Sequence, residues 1–319
     1  MIDFLAYLTL RLLVAVIGCM PTDMGDSLCR RLAWLLAIPM GVRRKSIDET
    51  YARVFEGMPR RDQQTLTLAM WRHLLVMVCE IVWAQRRIHR CNWGDYVQFR
   101  GNREMLLHLL DVRPTVMVTG HFGNFEVGGY LLGVMGLRTT SIARRLDNAW
   151  LHAWVTRFRS AKGQDMVDKQ GCAADIDAHL NAGGTLSLLA DQHAGSKGLW
   201  MDFCGVPASC HKALALFTLT SGAPMLVGYT RRLGTAPMQF ESCLVDAADP
   251  ANDRREVTGS TNDLTRWYNQ TLEQIIDTAP EQYWWLHRRW RDPPNKAKLR
   301  LDRQRQTAKM REASQTRAA

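Results

Sequence analysis

The sequence predicts an α/β protein, with a mixed, largely parallel sheet covered by helices behind an N-terminal hydrophobic helical section. Three observations carry that expectation. Short β-prone runs ("YVQFR", "TVMVTG", "TTSIA", "TLSLLA", "MLVGYTRR") alternate with helical stretches such as 147–162 and 209–221, and such alternation favours parallel strand pairs under helices. A chain of 319 residues, 46% of them hydrophobic, is long enough to bury a sizeable core. The first apolar run, "MIDFLAYLTLRLLVAVIGCMP", is as long as a bilayer requires and ends at Pro21.

That opening run is interrupted only by Asp3 and Arg11. It either spans a bilayer or lies in its interface, with a buried core helix as the plain alternative. "VIGC" before Met20 has the look of a lipoprotein cleavage box, but no cation leads the segment, as an export signal requires. The cationic flank follows it instead (Arg30, Arg31, Arg43, Arg44, Lys45), which keeps the body on the cytoplasmic side. "LAWLLAIPM" follows closely, so residues 1–40 read as a membrane-associated helical pair. Residues 61–89 carry apolar positions at helical spacing and form the longest later helix. Residues 41–292 then make the main domain, with 293–319 as a tail.

The tail explains much of the charge. Of a formal net charge of +10, Pro293 to Ala319 supplies +6, from eight Lys or Arg against Asp302 and Glu312. A basic terminus suits anionic headgroups, an acidic carrier protein or nucleic acid, and equally a solvated, frayed end. No nucleic-acid-binding motif accompanies it. The eight cysteines lie apart with no C-x-x-C pair, so they read as reduced thiols, and no zinc rhythm is present around Cys204, Cys210 and His211.

The stretch "VMVTGHFGNFEVGGYL" concentrates the chemistry. "TVMVTG" is a strand and "NFEVGG" opens a helix, so His121 stands at the carboxyl end of a strand, where open α/β sheets bind ligands. Gly120 and Gly123 permit a tight turn and leave room for a substrate. Asn124 is placed to cap the helix, whose N-terminus offers N–H groups to developing negative charge. Glu126, one turn on, fits an orienting partner for a histidine base. A histidine that merely satisfies loop backbone is the rival reading.

"HFGNFE" resembles the H-x-x-x-x-E box of the bacterial lipid A biosynthesis acyltransferases, within the lysophospholipid acyltransferase superfamily. "SIARRLDN", "LLADQHAG", "MDFCGVPAS" and "PEQYWWLHRRWR" match further segments of that family in the same order, over residues 1–292. Arg145, His193 and Cys204 stand where the family usually carries proline, Asp or Asn, and a second phenylalanine.

The resemblance implies transfer of a fatty acyl chain from acyl carrier protein, less often coenzyme A, to a hydroxyl of a membrane lipid at the inner (cytoplasmic) membrane. It needs no cofactor, no metal and no acyl-enzyme. His121 removes the hydroxyl proton and Glu126 orients it. The N–H groups near Gly123 and Asn124 are the candidate oxyanion donors. Arg144, with Arg145, binds phosphate. Asp191, also at a strand's carboxyl end, holds Arg144 or contacts the acceptor, beside Gln192. The closing run is either an interfacial aromatic belt or a core-packed helix, with Arg288 and Arg289 placed to meet an acidic carrier. A lipid A-type glycolipid is the expected acceptor; a phosphatidylinositol mannoside, an aminolipid and a lysophospholipid are the alternatives. A lipid hydrolase is the nearest other enzyme class, but no G-x-S-x-G elbow is present. A non-enzymatic membrane-surface protein accounts for the two termini only.

Overall fold

The computed structural model describes residues 2–161, 163–168, 171–252, 255–295, 297–298 and 301. Most of the basic tail therefore lies outside the described residues. In chain order the helices are α1 (Ile2–Cys19), α2 (Thr22–Ala37), α3 (Arg44–Val54), α4 (Arg60–Arg87), α5 (Asn102–Leu110), α6 (Phe125–Val134), α7 (Ala149–Ser160), α8 (Ala173–Asn181), α9 (Ala213–Ser221), α10 (Arg255–Thr258) and α11 (Thr261–Thr278). The strands are β1 (Val97–Arg100), β2 (Thr115–Thr119), β3 (Thr139–Ala143), β4 (Gln164–Asp168), β5 (Thr185–Leu189), β6 (Leu199–Phe203), β7 (Val206–Cys210), β8 (Met225–Arg232) and β9 (Phe240–Ala248).

Seven strands form one sheet in the order β1-β9-β8-β2-β5-β3-β4, parallel except for β8 against β9, while β6 and β7 form a separate hairpin. Each of the five β-prone runs is a strand of the main sheet. The half-exposed edge strand β4 has little apolar signal, and β6, β7 and β9 were not expected either. The hairpin turns at Cys204 and Gly205, both with positive φ (51° and 71°), the backbone twist that a two-residue hairpin turn favours. Strand β7 takes residues 209 and 210 from the start of the expected 209–221 helix, which begins only at Ala213.

Helix α4 lies in the core, with Met70 and Trp83 fully buried. Helix α1 does not: it buries only Ile17, while Ile2 is 81% and Leu12 67% exposed. It is long and apolar enough to cross a membrane by length and composition. The Trp83 indole donates to the Ile17 carbonyl at 2.8 Å, and Phe4 packs edge-on against Trp150 of α7. Helix α2 buries Gly25, Cys29 and Ala33 against α4 but leaves Met24 and Trp34 more than half exposed. Both of the first two helices thus expose many large apolar side chains, more than scattered leucines.

Candidate active site

Strands β2 and β5 are parallel neighbours with Thr119 opposite Leu189. Two residues beyond each lie His121 and Asp191, so the register alone brings together side chains 70 positions apart. The His121 Nδ1–H donates to Asp191 Oδ1 at 2.8 Å, and the His121 backbone N–H donates to Oδ2 at 2.9 Å. With Nδ1 protonated, Nε2 carries the lone pair, and it accepts from the Gln192 amide at 3.2 Å. The His121 carbonyl accepts from Trp284 N at 3.0 Å. Every polar atom of His121 is thus engaged, and none of its partners is Glu126.

Asp191 is completely buried. Burial pushes its pKa up, but the charge and hydrogen bonds of His121, with His287 beyond, outweigh this and hold it well below the ordinary carboxylate range. An ionised carboxylate so placed fixes the facing ring in the tautomer with Nδ1 protonated. It does not hold Arg144, which is exposed and lies 3.5 Å from Asp147. Arg145 is exposed beside it.

The expected His121–Glu126 contact is replaced. Glu126 turns to Arg159 of α7, which reaches it through both Nη2 and Nε, the latter at 3.2 Å. A fully charged guanidinium offers the carboxylate a stronger partner than an imidazole already held by Asp191. Glu126 and Arg159 both remain at the cavity.

The expected oxyanion donors are also spent. Gly123 N donates to the Gln282 carbonyl at 2.9 Å and Asn124 N to the Thr230 carbonyl at 2.7 Å. The glycines make room for protein, not substrate: a Cβ on Gly123, at φ +59°, would lie 2.1 Å from Thr230 O, and one on Gly120 would lie 3.3 Å from the Asp191 carboxyl carbon. Asn124 does cap α6, its Oδ1 accepting from Val127 N at 3.1 Å. Its Nδ2 donates to Glu80 at 3.0 Å.

Behind this turn lies a buried polar network that the sequence did not reveal. Arg232 grips Glu80 in two hydrogen bonds of 2.7 and 2.8 Å, and Met238 N donates to the same carboxylate. His73 Nε2–H donates to the Gly123 carbonyl at 3.2 Å, and its Nδ1 faces Arg232 at 3.4 Å. Burial, then the Arg232 charge, lower its pKa to about 3. Gln282 brackets Arg232, accepting from its N–H and donating to its carbonyl. Such a network is stabilising only when every member is satisfied, as these are.

The closing run is neither an interfacial belt nor a helix. After a 3₁₀ turn at Pro280–Gln282, Tyr283 bridges Phe122 antiparallel and the chain turns again at Trp285 and Leu286, so the segment walls the site. Trp285 and Trp290 are buried and stacked. Arg289 is fully buried, donating to the Gln192 carbonyl at 2.8 Å and to Asn269 at 3.0 Å, with its guanidinium 4.1 Å from the Phe203 ring centre. It meets no carrier; Arg288 alone of the pair is exposed. The spacing "WLHRRW" marked this segment, but periodicity could not say that it folds in turns against the site.

His121, Glu126, Arg144, Arg159, Gln192 and Trp284 border a cavity of about 800 Å³. Its remaining wall is mostly apolar, including Leu132, Ile142, Met166, Leu214 and Phe217, the make-up of a pocket for an apolar ligand with a few orienting polar groups. No cluster of metal ligands exists among the described residues.

The family model for "Bacterial lipid A biosynthesis acyltransferase" matches residues 2–292. The chain is 28% identical over 221 residues to the lipid A biosynthesis lauroyltransferase of Escherichia coli (strain K12), covering 66% of each. It is 29% identical over 185 residues to the lipid A biosynthesis palmitoleoyltransferase of the same organism, 56% of each. A lipid A biosynthesis acyltransferase of Haemophilus influenzae aligns at 23% identity over 299 residues, 87% of each chain. The chain therefore spans about two thirds and just over half of the two Escherichia coli enzymes. A crystal structure of a 1-acyl-sn-glycerophosphate acyltransferase from Thermotoga maritima overlaps 85% of this chain and 100% of its own, at a TM-score of 0.39 and 11% identity. By a match that runs over residues 2–292, from α1 to the closing run, this chain belongs to the bacterial lipid A biosynthesis acyltransferase family.

Proposed function

We propose that this protein moves a fatty acyl chain from a thioester, carried by acyl carrier protein or coenzyme A, to a hydroxyl of a lipid A-type glycolipid. The observation that carries the reading is a histidine held by a buried carboxylate, at the border of a largely apolar cavity of about 800 Å³. His121 Nε2 takes the hydroxyl proton as the oxygen attacks the thioester carbon, and Asp191 holds the tautomer and balances the imidazolium. The proton then leaves with the thiol. General-base help is worth about 10²- to 10⁴-fold, so positioning must supply much of the rest. Arg144, Arg145 and Arg159 are the proposed phosphate-binding residues, with Glu126 fixing Arg159 at the border. Gln192 caps the base and yields to the substrate. The names of the Escherichia coli relatives support a lauroyl or palmitoleoyl chain. The apolar faces of α1 and α2 support attachment to the inner membrane, with the site on the cytoplasmic side.

The test is acyl transfer by purified wild type and His121→Ala, both confirmed folded, with lauroyl- and palmitoleoyl-acyl carrier protein and the corresponding coenzyme A thioesters. A panel of acceptors is followed by mass spectrometry. Transfer to a lipid A precursor by wild type alone is the expected result. Transfer only to a lysophospholipid, aminolipid or mannoside would move the acceptor, and an active His121→Ala would remove the base.

A further inference from the structure

His287 lies at a bend in the closing segment, its ring centre 4.7 Å from that of His121 and 4.8 Å from that of Trp284. Its Nε2 stands 3.5 Å from the Gln192 amide nitrogen, which stands 3.2 Å from His121 Nε2. For His121 to act as a base, the acceptor oxygen must come within hydrogen-bond reach of Nε2, which is the place the exposed Gln192 amide now fills. A group that displaces that amide falls within reach of both rings. The attack also creates an oxyanion one bond from the attacked carbon, and the turn's own N–H groups at Gly123 and Asn124 are already spent on carbonyls. The site needs another donor.

The surroundings of His287 keep it suited to donate. Burial first, then the nearby positive groups His121 and Arg289, lower its pKa to about 4 against the pull of Asp191. It therefore stays neutral where His121 must work, retains one N–H, and does not compete for the acceptor's proton. Two histidines with one carboxylate between them have separate roles because only His121 touches that carboxylate.

We propose that His287 is a second catalytic residue, a neutral ring that, once the acceptor displaces the Gln192 amide now donating toward its Nε2, gives its N–H to the thioester carbonyl oxygen as that oxygen gains charge. The step rests on the acyl transfer proposed above. The acceptor O–H proton goes to His121 Nε2 as the new C–O bond forms, and the carbonyl π electrons move to the oxygen held by His287. Those electrons return as the C–S bond breaks, and the thiolate takes the proton from His121, leaving ester and thiol.

The experiment compares wild type, His287→Phe, which fills the space without a donor, and His287→Gln, which supplies an amide N–H. Lauroyl-acyl carrier protein, lauroyl-coenzyme A and a phosphorylated lipid A precursor serve as probes, with melting curves to confirm folding. His287→Phe is expected to lower kcat by about 10²- to 10³-fold, the effect of losing one oxyanion donor. Its KM should hold, and His287→Gln should recover part of the loss. The acid limb of kcat against pH should follow one ionisation in wild type and in His287→Gln alike. A folded His287→Phe with wild-type kcat, or Gln and Phe variants equally slow, overturns the donor role while acyl transfer stands. A wild type that transfers from neither donor overturns acyl transfer and this proposal with it.

Discussion

The back and the rim of the active site are built on opposite terms. Behind the His121 turn, Glu80, Arg232, His73 and Asn124 are almost completely buried and hydrogen-bonded to one another and to backbone. At the rim, Arg144 and Asp147 are more than four-fifths exposed with 3.5 Å between them, and Glu126 and Arg159 are partly exposed. A reacting nitrogen must be fixed to a fraction of an ångström, and a satisfied buried network holds it rigidly. Groups that meet a large lipid headgroup remain solvated until it arrives and are worth little to the empty protein.

Breaking the carboxylate contact should have the largest effect. Asp191→Asn keeps the shape but favours the wrong tautomer of His121, and kcat should fall by about 10³- to 10⁴-fold, as for comparable buried Asp–His pairs. Glu126→Gln should cost far less, so a Glu126 variant slower than Asp191→Asn in the same transfer assay would reverse the comparison. Next is Glu80→Gln, which leaves Arg232 buried without its counter-charge. A loss of about 3–5 kcal/mol is expected from denaturant unfolding, and a loss below about 1 kcal/mol would mean that the back is not rigidly built.

His73 sharpens the contrast through pH. Its pKa is lowered to about 3 in the folded protein against about 6.5 in the unfolded chain. As pH falls below the unfolded value, the unfolded chain takes up the proton and the folded one does not, so stability declines toward the folded value. Between pH 7 and 5 the decline from this one residue is about 2 kcal/mol. His73→Gln keeps a donor for the Gly123 carbonyl and lacks the titration, so unfolding at the two pH values should show the variant gaining that amount on wild type. The smallest change is expected at Arg144→Ala, with stability within about 0.5 kcal/mol of wild type. Its KM for a phosphorylated acceptor should rise, whereas that for a phosphate-free acceptor should not.

Much of this fold was legible locally. Val, Ile, Leu and Thr in short runs marked the main-sheet strands from β1 to β8 except the edge strand β4, and "MLVGYTRR" coincides with β8 residue for residue. The turn at His121, the cap at Asn124 and the exposed apolar α1 all follow from near-neighbour chemistry. The hairpin before α9 was less visible, since its strands are only five residues each on either side of the Cys204-Gly205 turn.

The sequence by itself determined which residues can do chemistry and where strands end, because side-chain type and backbone preference act over a few positions. Only the tertiary structure decided which of them meet. Asp191 reached His121 because β5 lies beside β2 in one register. Glu126, five residues from His121, went to Arg159 on another helix. The closing run, aromatic and basic enough for a membrane belt, was drawn inward to pair with the turn and set His287 beside His121. Contacts of this kind depend on sheet order and on competition among charged partners, which act through space and leave no periodic trace along the chain.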